Sequence, residues 1–143
     1  MVSVLTITYK RHHLLEEAIE SFLQQEAPSF PVEMVIINDN PDVDYVFNHP
    51  QVKVINWKER FQSIGVKLAW GRMQCSYDYI YRLDDDDLLA PDALNSVYDD
   101  IINNPGYDVY RGSGHYWFTD NKFVQISDSI NNGNVYKLSL IHI

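Results

Sequence analysis

The chain has 143 residues, 45% of them hydrophobic and 22% charged, with a formal net charge of −9. That length suits one folded domain with a buried core, and ten Tyr and six Phe set it apart from disordered chains. The acidic balance speaks against nonspecific nucleic-acid binding, which draws on clustered Lys and Arg, but it leaves room for a nucleotide whose phosphates are bridged by a divalent cation.

Met1 leads straight into Val2-Ser3-Val4-Leu5, without the charged start and long apolar stretch of a signal peptide, so none is expected. Val2 to Thr8 is apolar and β-branched and reads as a buried strand. Leu14, Leu15, Ala18, Ile19, Phe22 and Leu23 then form one stripe of a helix, opposite Glu16, Glu17, Glu20 and Gln24, with Pro28 and Pro31 ending it. Val32 to Ile37 reads as a second strand, closed by the loop Asn38-Asp39-Asn40-Pro41, and Val52 to Ile55 as a short third. Ser63 to about Gln74 reads as a helix with Ile64, Leu68 and Met73 inward, weakened by Gly65 and Gly71. Cys75 is the one cysteine, which rules out an intrachain disulfide and fits a reducing, cytoplasmic setting. Tyr79 to Leu83 reads as a fourth strand that runs into Asp84-Asp85-Asp86-Asp87. Pro91 opens a further helix with the stripe Leu94, Val97, Tyr98, Ile101 and Ile102, stopped by Asn103-Asn104-Pro105-Gly106. Short strands are expected at Tyr107 to Tyr110, Tyr116 to Phe118 and Phe123 to Ile126. No apolar run reaches the roughly 20 residues of a membrane span.

This order of elements predicts an α/β domain with a mostly parallel central sheet. Ligands of such sheets bind beyond the C-terminal strand ends, and Thr8-Tyr9, Asn38-Asp39 and the four aspartates all fall there. Four adjacent carboxylates raise one another's pKa and destabilise a fold unless something neutralises them. Mg²⁺ or Mn²⁺ does so through oxygen ligands, often one or two carboxylates plus substrate phosphates. In an extended segment Asp84 and Asp86 would face one side, and Asp85 and Asp87 the other. The competing reading is a solvated acidic turn, or Asp86 or Asp87 capping the helix near Pro91.

The segment Tyr79-Ile80-Tyr81-Arg82-Leu83-Asp84-Asp85-Asp86-Asp87-Leu88-Leu89-Ala90-Pro91-Asp92-Ala93-Leu94 resembles the Asp-x-Asp segment of family 2 glycosyltransferases. Val2 to Arg11 is similar to that family's opening strand with its Thr-Tyr loop, and Glu33 to Asn40 to its second strand. The resemblance runs from Val2 to about Asn104. It implies a GT-A, Rossmann-like three-layer fold, incomplete at the C-terminus, with residues 1–104 as the donor-binding part and 105–143 as the start of an acceptor-side part. It also implies hexosyl transfer from a nucleoside-diphosphate sugar, UDP-linked in many members, to an unidentified glycan, lipid or protein acceptor, with inversion, as in cell-surface polysaccharide biosynthesis. Thr8 and Tyr9 would then line the nucleoside pocket, and Asp39 would accept a hydrogen bond from the base. Asp84 and Asp85 would lie near ribose and diphosphate, with Asp86, seconded by Asp84, as ligand to Mn²⁺ or Mg²⁺. The sequence departs from the family at Asn38, where an acid is usual, and at Pro41, where Gly-Ser is common. The family's usual Arg-Asn has no counterpart between Arg60 and Asp78, and Arg60, Lys67 and Arg72 read as surface charges.

Inverting transfer needs a general base. Asp120 and Asp128 are the acidic candidates after the aspartate run, but both sit in turn-like sequence. His115 and His142 lack spaced partners and read as structural or exposed, and Tyr107, Tyr110, Tyr116 and Trp117 read as strand aromatics. The apolar end Leu138 to Ile143 reads as a truncation or as a strand needing a partner. Two alternatives stay open: a donor-binding module without activity, and a nucleotidyltransferase-like metal protein. Against the second, Thr8-Tyr9-Lys10-Arg11 stands where a glycine-rich phosphate loop is required.

Overall fold

The structure, a computed structural model, describes residues 1–111, 114–119, 122–127 and 139–142. The elements run β1 (Val2–Thr8), α1 (His12–Leu23), β2 (Val32–Asn38), β3 (Val52–Asn56), α2 (Ile64–Arg72), β4 (Tyr79–Arg82), α3 (Ala93–Asn103), β5 (Val109–Arg111), β6 (Gly114–Thr119), β7 (Lys122–Ser127) and β8 (Ser139–His142). A six-stranded sheet has the order β3-β2-β1-β4-β8-β5, and β6 and β7 form a separate antiparallel pair. The first four strands are parallel. β8 is antiparallel to both its neighbours, so Ser139–His142 of the apolar terminal stretch form a strand slotted between β4 and β5.

β1 and β2 are interior strands buried on both faces over most of their length, which is why their sequences are largely apolar and β-branched without strict alternation. On one face α1 and α3 cover Val2, Val4, Met34, Ile36 and Tyr81 with Leu15, Ile19, Phe22 and Leu94. On the other, Leu5, Val35, Ile37 and Ile80 meet Phe61, Leu68 and Trp70 from α2 and the loop before it. The result is the three-layer α/β arrangement expected.

Four local expectations are corrected. Helix α1 stops at Leu23, before either proline, with the Gln24 N–H donating to the Glu20 carbonyl. Gln25 then ties the chain to α3, its Oε1 accepting the Leu94 N–H at 3.0 Å, and the N-cap of α3 is Asp92 rather than Asp86 or Asp87. Helix α2 turns Lys67 and Gly71 inward, while Ile64 and Met73 are exposed. Ile102 of α3 is likewise exposed, leaving Ala93, Leu94 and Ile101 as its buried face.

Cys75 follows α2 and lies half-buried, and burial beside Glu33 pushes its thiol up to about 11. At pH 8 its thiolate fraction is therefore roughly two orders of magnitude below that of an ordinary cysteine near 8.5. Iodoacetamide alkylation at pH 8, followed by intact mass, is expected to be slower than that of glutathione, by less than this factor because a thiolate of higher pKa is the better nucleophile. A rate matching glutathione would contradict the assigned environment.

Candidate functional site

The ends of β1, β2 and β4 open into one cleft of about 550 Å³, lined among others by Thr8, Tyr9, Arg11, Asp39, Arg60, Lys67 and Asp84 to Asp86. Such a volume fits a small-molecule site, typically ~300–1,000 Å³. The donor-site and metal-site positions expected from the sequence, Thr8, Tyr9, Asp39 and Asp84 to Asp86, therefore lie around one cavity.

The floor is set by β2. Asn38 is fully buried; its amide nitrogen donates to the Val43 carbonyl at 2.9 Å and to Asn56 Oδ1 at 2.8 Å, and its Oδ1 accepts the Asn40 N–H. An aspartate here has no N–H to donate, which gives the departure at this position a structural reason. Asn56 in turn accepts the Tyr45 N–H and donates to its carbonyl, so two asparagines fix the loop that follows Asp39.

Asp39 is 1% exposed on its side chain, and three donors converge on it. Lys67 Nζ reaches Oδ1 at 2.6 Å, Arg60 Nη1 reaches the same oxygen at 2.8 Å, and the Phe61 N–H donates to Oδ2 at 3.1 Å. Lys67 also donates to the Thr8 carbonyl at 2.6 Å, joining α2 to the end of β1. Burial holds the Lys67 ammonium below its usual value, against the opposing pull of Asp39. Lys67 is therefore not a surface charge: a lysine whose partner is a buried carboxylate goes inside with it. Arg60 is half-exposed, and its guanidinium lies 3.5 Å from the centroid of the Tyr9 ring. That is a close cation–π contact. Arg72 is exposed and does not line the cleft.

Between Tyr9 and α1 the chain passes through Lys10 at φ 58. That left-handed conformation costs a non-glycine residue about 1 kcal/mol and lets the backbone reverse from strand to helix within three residues. Arg11 is placed as the N-cap residue of α1, its carbonyl accepting the Leu14 and Leu15 N–H groups. Its side chain does no capping and crosses to the acidic segment.

That segment is not extended. β4 ends at Arg82, and the Asp87 N–H donates to the Asp84 carbonyl at 3.1 Å, closing a turn. The expected alternation of side chains therefore fails: Asp84, Asp85 and Asp86 all line the cleft, with Asp85 wholly buried and Asp86 46% exposed on its side chain. Arg82 holds Asp84 at 2.9 Å, and Arg11 holds Asp86 at 3.0 Å and also pairs with Asp85. Although Arg11 neutralises Asp85, neither Asp85 oxygen has a hydrogen bond of good geometry among the described residues. Beneath the turn, burial and then the nearby charge of Asp87 push the Tyr81 phenol above its ordinary value.

These donors suit a hard divalent cation: all are carboxylate oxygens, one of them buried without hydrogen bonds. Among the described residues no three His, Cys, Asp or Glu side chains form a complete cage. The protein would thus supply one or two carboxylates, with phosphates and water completing the shell. Of the remaining candidates, Asp120 and Asp128 lie outside the described residues. His115, Tyr116 and Trp117 lie on β6 and His142 on β8. Tyr110 is buried on β5 and donates to the Asn104 carbonyl, whereas Tyr107 is exposed. No described helix is long and apolar enough to cross a membrane.

Several known proteins share this architecture. S. aureus TarS, residues 1–349, is 18% identical with a TM-score of 0.62, over 76% of this chain and 34% of that one. TarS has also been solved in complex with UDP-GlcNAc. The mannosyltransferase PcManGT from Pyrobaculum calidifontis, in complex with GDP-Man and Mn²⁺, is 19% identical with a TM-score of 0.62, over 76% of this chain and 34% of that one. At these identities the likeness is one of fold, and the fold is of the GT-A type. A Haemophilus influenzae (strain ATCC 51907 / DSM 11121 / KW20 / Rd) protein named "Uncharacterized glycosyltransferase" is 26% identical over 118 residues, which is 77% of this chain and 43% of that protein. The chain thus spans well under half of that relative and about a third of the two solved structures. The sequence profile of Glycosyl transferase family 2 matches residues 3–139, and the chain belongs to that family.

Proposed function

We propose that this chain forms the donor side of a glycosyltransferase that moves a hexose from a nucleoside-diphosphate sugar, UDP-linked, to a glycan, lipid or protein acceptor, with inversion. The observation that carries this reading is the convergence of Tyr9, Asp39 and the Asp84–Asp86 turn, from three separate strands, on one cleft. The neighbours TarS and PcManGT, solved with UDP-GlcNAc and with GDP-Man and Mn²⁺, support it.

In this reading the Tyr9 ring packs against the base or ribose. Asp39 accepts from a ring N–H of the base. An ionised carboxylate has about four acceptor sites, and protein donors use three of them, so one remains for the ligand. Thr8 shapes the nucleoside pocket from the end of β1. Asp84 and Asp85 face the ribose and diphosphate, while Asp86, seconded by Asp84, would hold Mn²⁺ or Mg²⁺. A bound cation stabilises the negative charge that accumulates on the departing diphosphate. The basic groups Arg11, Arg60 and Arg82 line the same cleft, so the anionic ligand meets positive charge in an otherwise acidic chain.

Calorimetric titration with UDP, with and without Mn²⁺, tests the reading. UDP is expected to bind at least about tenfold tighter with Mn²⁺, and Asp86→Ala to erase that increment with the melting temperature unchanged. UDP affinity indifferent to Mn²⁺ would remove the metal from the proposal, and no UDP binding at all would remove the donor site.

A further inference from the structure

We propose that Arg11 is an exchangeable internal counter-ion of the acidic turn. It neutralises Asp85 and Asp86 in the ligand-free protein, yields them when a divalent cation binds, and then pairs with the diphosphate. The inference rests on the donor-site reading but adds a residue and a coupling which that reading does not contain.

Asp85 is fully buried, and an ionised carboxylate at such a site must be paired. Its pairing comes from Arg11, which spans Asp85 and Asp86 at once. The two partners differ in kind. Asp86 accepts a true hydrogen bond from Nη1 at 3.0 Å, whereas neither oxygen of Asp85 meets hydrogen-bond geometry. Arg11 thus supplies charge to Asp85 at Oδ1 and leaves Oδ2 without a donor among the described residues. A divalent cation on Asp86 would bring twice the charge to the same turn, beside Asp85.

The arginine is also free to leave. Its side chain is 49% exposed, it lines the cleft, and it has three flexible methylenes between backbone and guanidinium. Arg82 is engaged with Asp84 and does not reach Asp86, so Arg11 is the cation that entry of a metal at Asp86 displaces. Once displaced, its planar fork lies beside the cleft and matches phosphate oxygens. Two consequences follow from linkage. Metal alone binds weakly, because it must compete with a built-in +1 charge. Metal and nucleotide diphosphate bind cooperatively, because the diphosphate takes up the guanidinium that the metal releases.

The test is Mn²⁺ binding to the whole chain, followed by the loss of free-Mn²⁺ electron paramagnetic resonance signal. Arg11→Gln keeps an amide donor and removes the charge. Without nucleotide it is expected to bind Mn²⁺ about tenfold tighter than wild type, within the range of ordinary coupling energies. The gain in Mn²⁺ affinity on adding UDP should shrink in the variant by a similar factor. A purely structural Arg11 predicts the opposite sign, since a disordered turn binds metal less well. Equal or weaker Mn²⁺ binding by Arg11→Gln therefore overturns the exchange while leaving the donor site standing. Mn²⁺ bound by neither protein, with or without UDP, overturns both. Should the variant not fold, a crystal structure of wild type with Mn²⁺ and UDP decides. Arg11 is then expected on phosphate, and Arg11 still spanning Asp85 and Asp86 with metal bound overturns the proposal.

Discussion

Lys67→Met is expected to lower stability by about 3 kcal/mol, the low end of the range for breaking a buried ion pair by removing one partner. Methionine keeps the apolar stem but leaves Asp39 buried, and the Thr8 carbonyl loses its lysine donor. The cost sits at the low end because Arg60 and the Phe61 N–H still serve Asp39. For a chain of this size that corresponds to a melting temperature lower by roughly 6–12 °C. Combining it with Asp39→Asn should restore part of the loss, since the stranded charge is gone. Strictly additive losses in that double-mutant cycle would show that the two residues are not coupled.

The same pair has a pH signature. Burial keeps the Lys67 ammonium below its ordinary value of 10.5, so the native chain releases this proton at a lower pH than the unfolded chain. In that window the unfolded state holds more protons, and this group makes stability rise with pH up to about 10.5. Urea midpoints measured across the alkaline range should show that slope in wild type and lack it in Lys67→Met. The variant should also bind UDP more weakly, because Asp39 loses one of the three donors that position it.

Lys67 and Arg60 are not legible as site residues in the sequence, whereas the strand-end groups are, for a physical reason. The strands β1 and β2 are legible because they are buried on both faces, so no alternation is needed to see them. Tyr9, Asp39 and the aspartates are legible as polar groups placed directly after such runs. Lys67 is different: on the helix it is one charged residue among apolar ones, and its partner lies 28 positions away. Local pattern assigns Ile64 and Met73 to the core because they are apolar. The fold rejects them because the inward face of α2 is chosen by close approach at Gly71. The paired small residue and lysine at a spacing of four were the available signal. The acidic turn was misread for a related reason, since four like residues carry no information on where the strand stops. The place of β8 between β4 and β5 rests on pairing with residues some sixty positions earlier, such as Tyr79 with His142, which no local signal encodes.

Gly71→Ala and Gly65→Ala, identical changes in one helix, are expected to act with opposite sign. Alanine is the better helix former by about 1 kcal/mol, and at Gly65 nothing opposes it. A Cβ there meets only Ser63 Oγ at 3.8 Å, so a gain of about 0.5–1 kcal/mol is expected. At Gly71 a Cβ would lie 2.9 Å from Ile37 Cγ1 and 3.0 Å from Leu5 Cδ1. Both side chains are buried in the sheet with no room to retreat, and overpacking of this kind costs about 1–3 kcal/mol. Gly71→Val adds two further methyls and a β-branch and should cost more, about 3–4 kcal/mol by the same reasoning. The effect reaches the site because Lys67 stands one turn earlier on the same face as Gly71. A helix lifted off Ile37 draws the Lys67 ammonium away from Asp39, where contact is now 2.6 Å. UDP affinity should therefore fall in Gly71→Ala at temperatures where the variant is still fully folded, and stay at the wild-type level in Gly65→Ala. Loss of stability with undiminished UDP binding would mean that α2 deforms locally around residue 71, and that the position of Lys67 is fixed by its ion pair rather than by the packing of its helix.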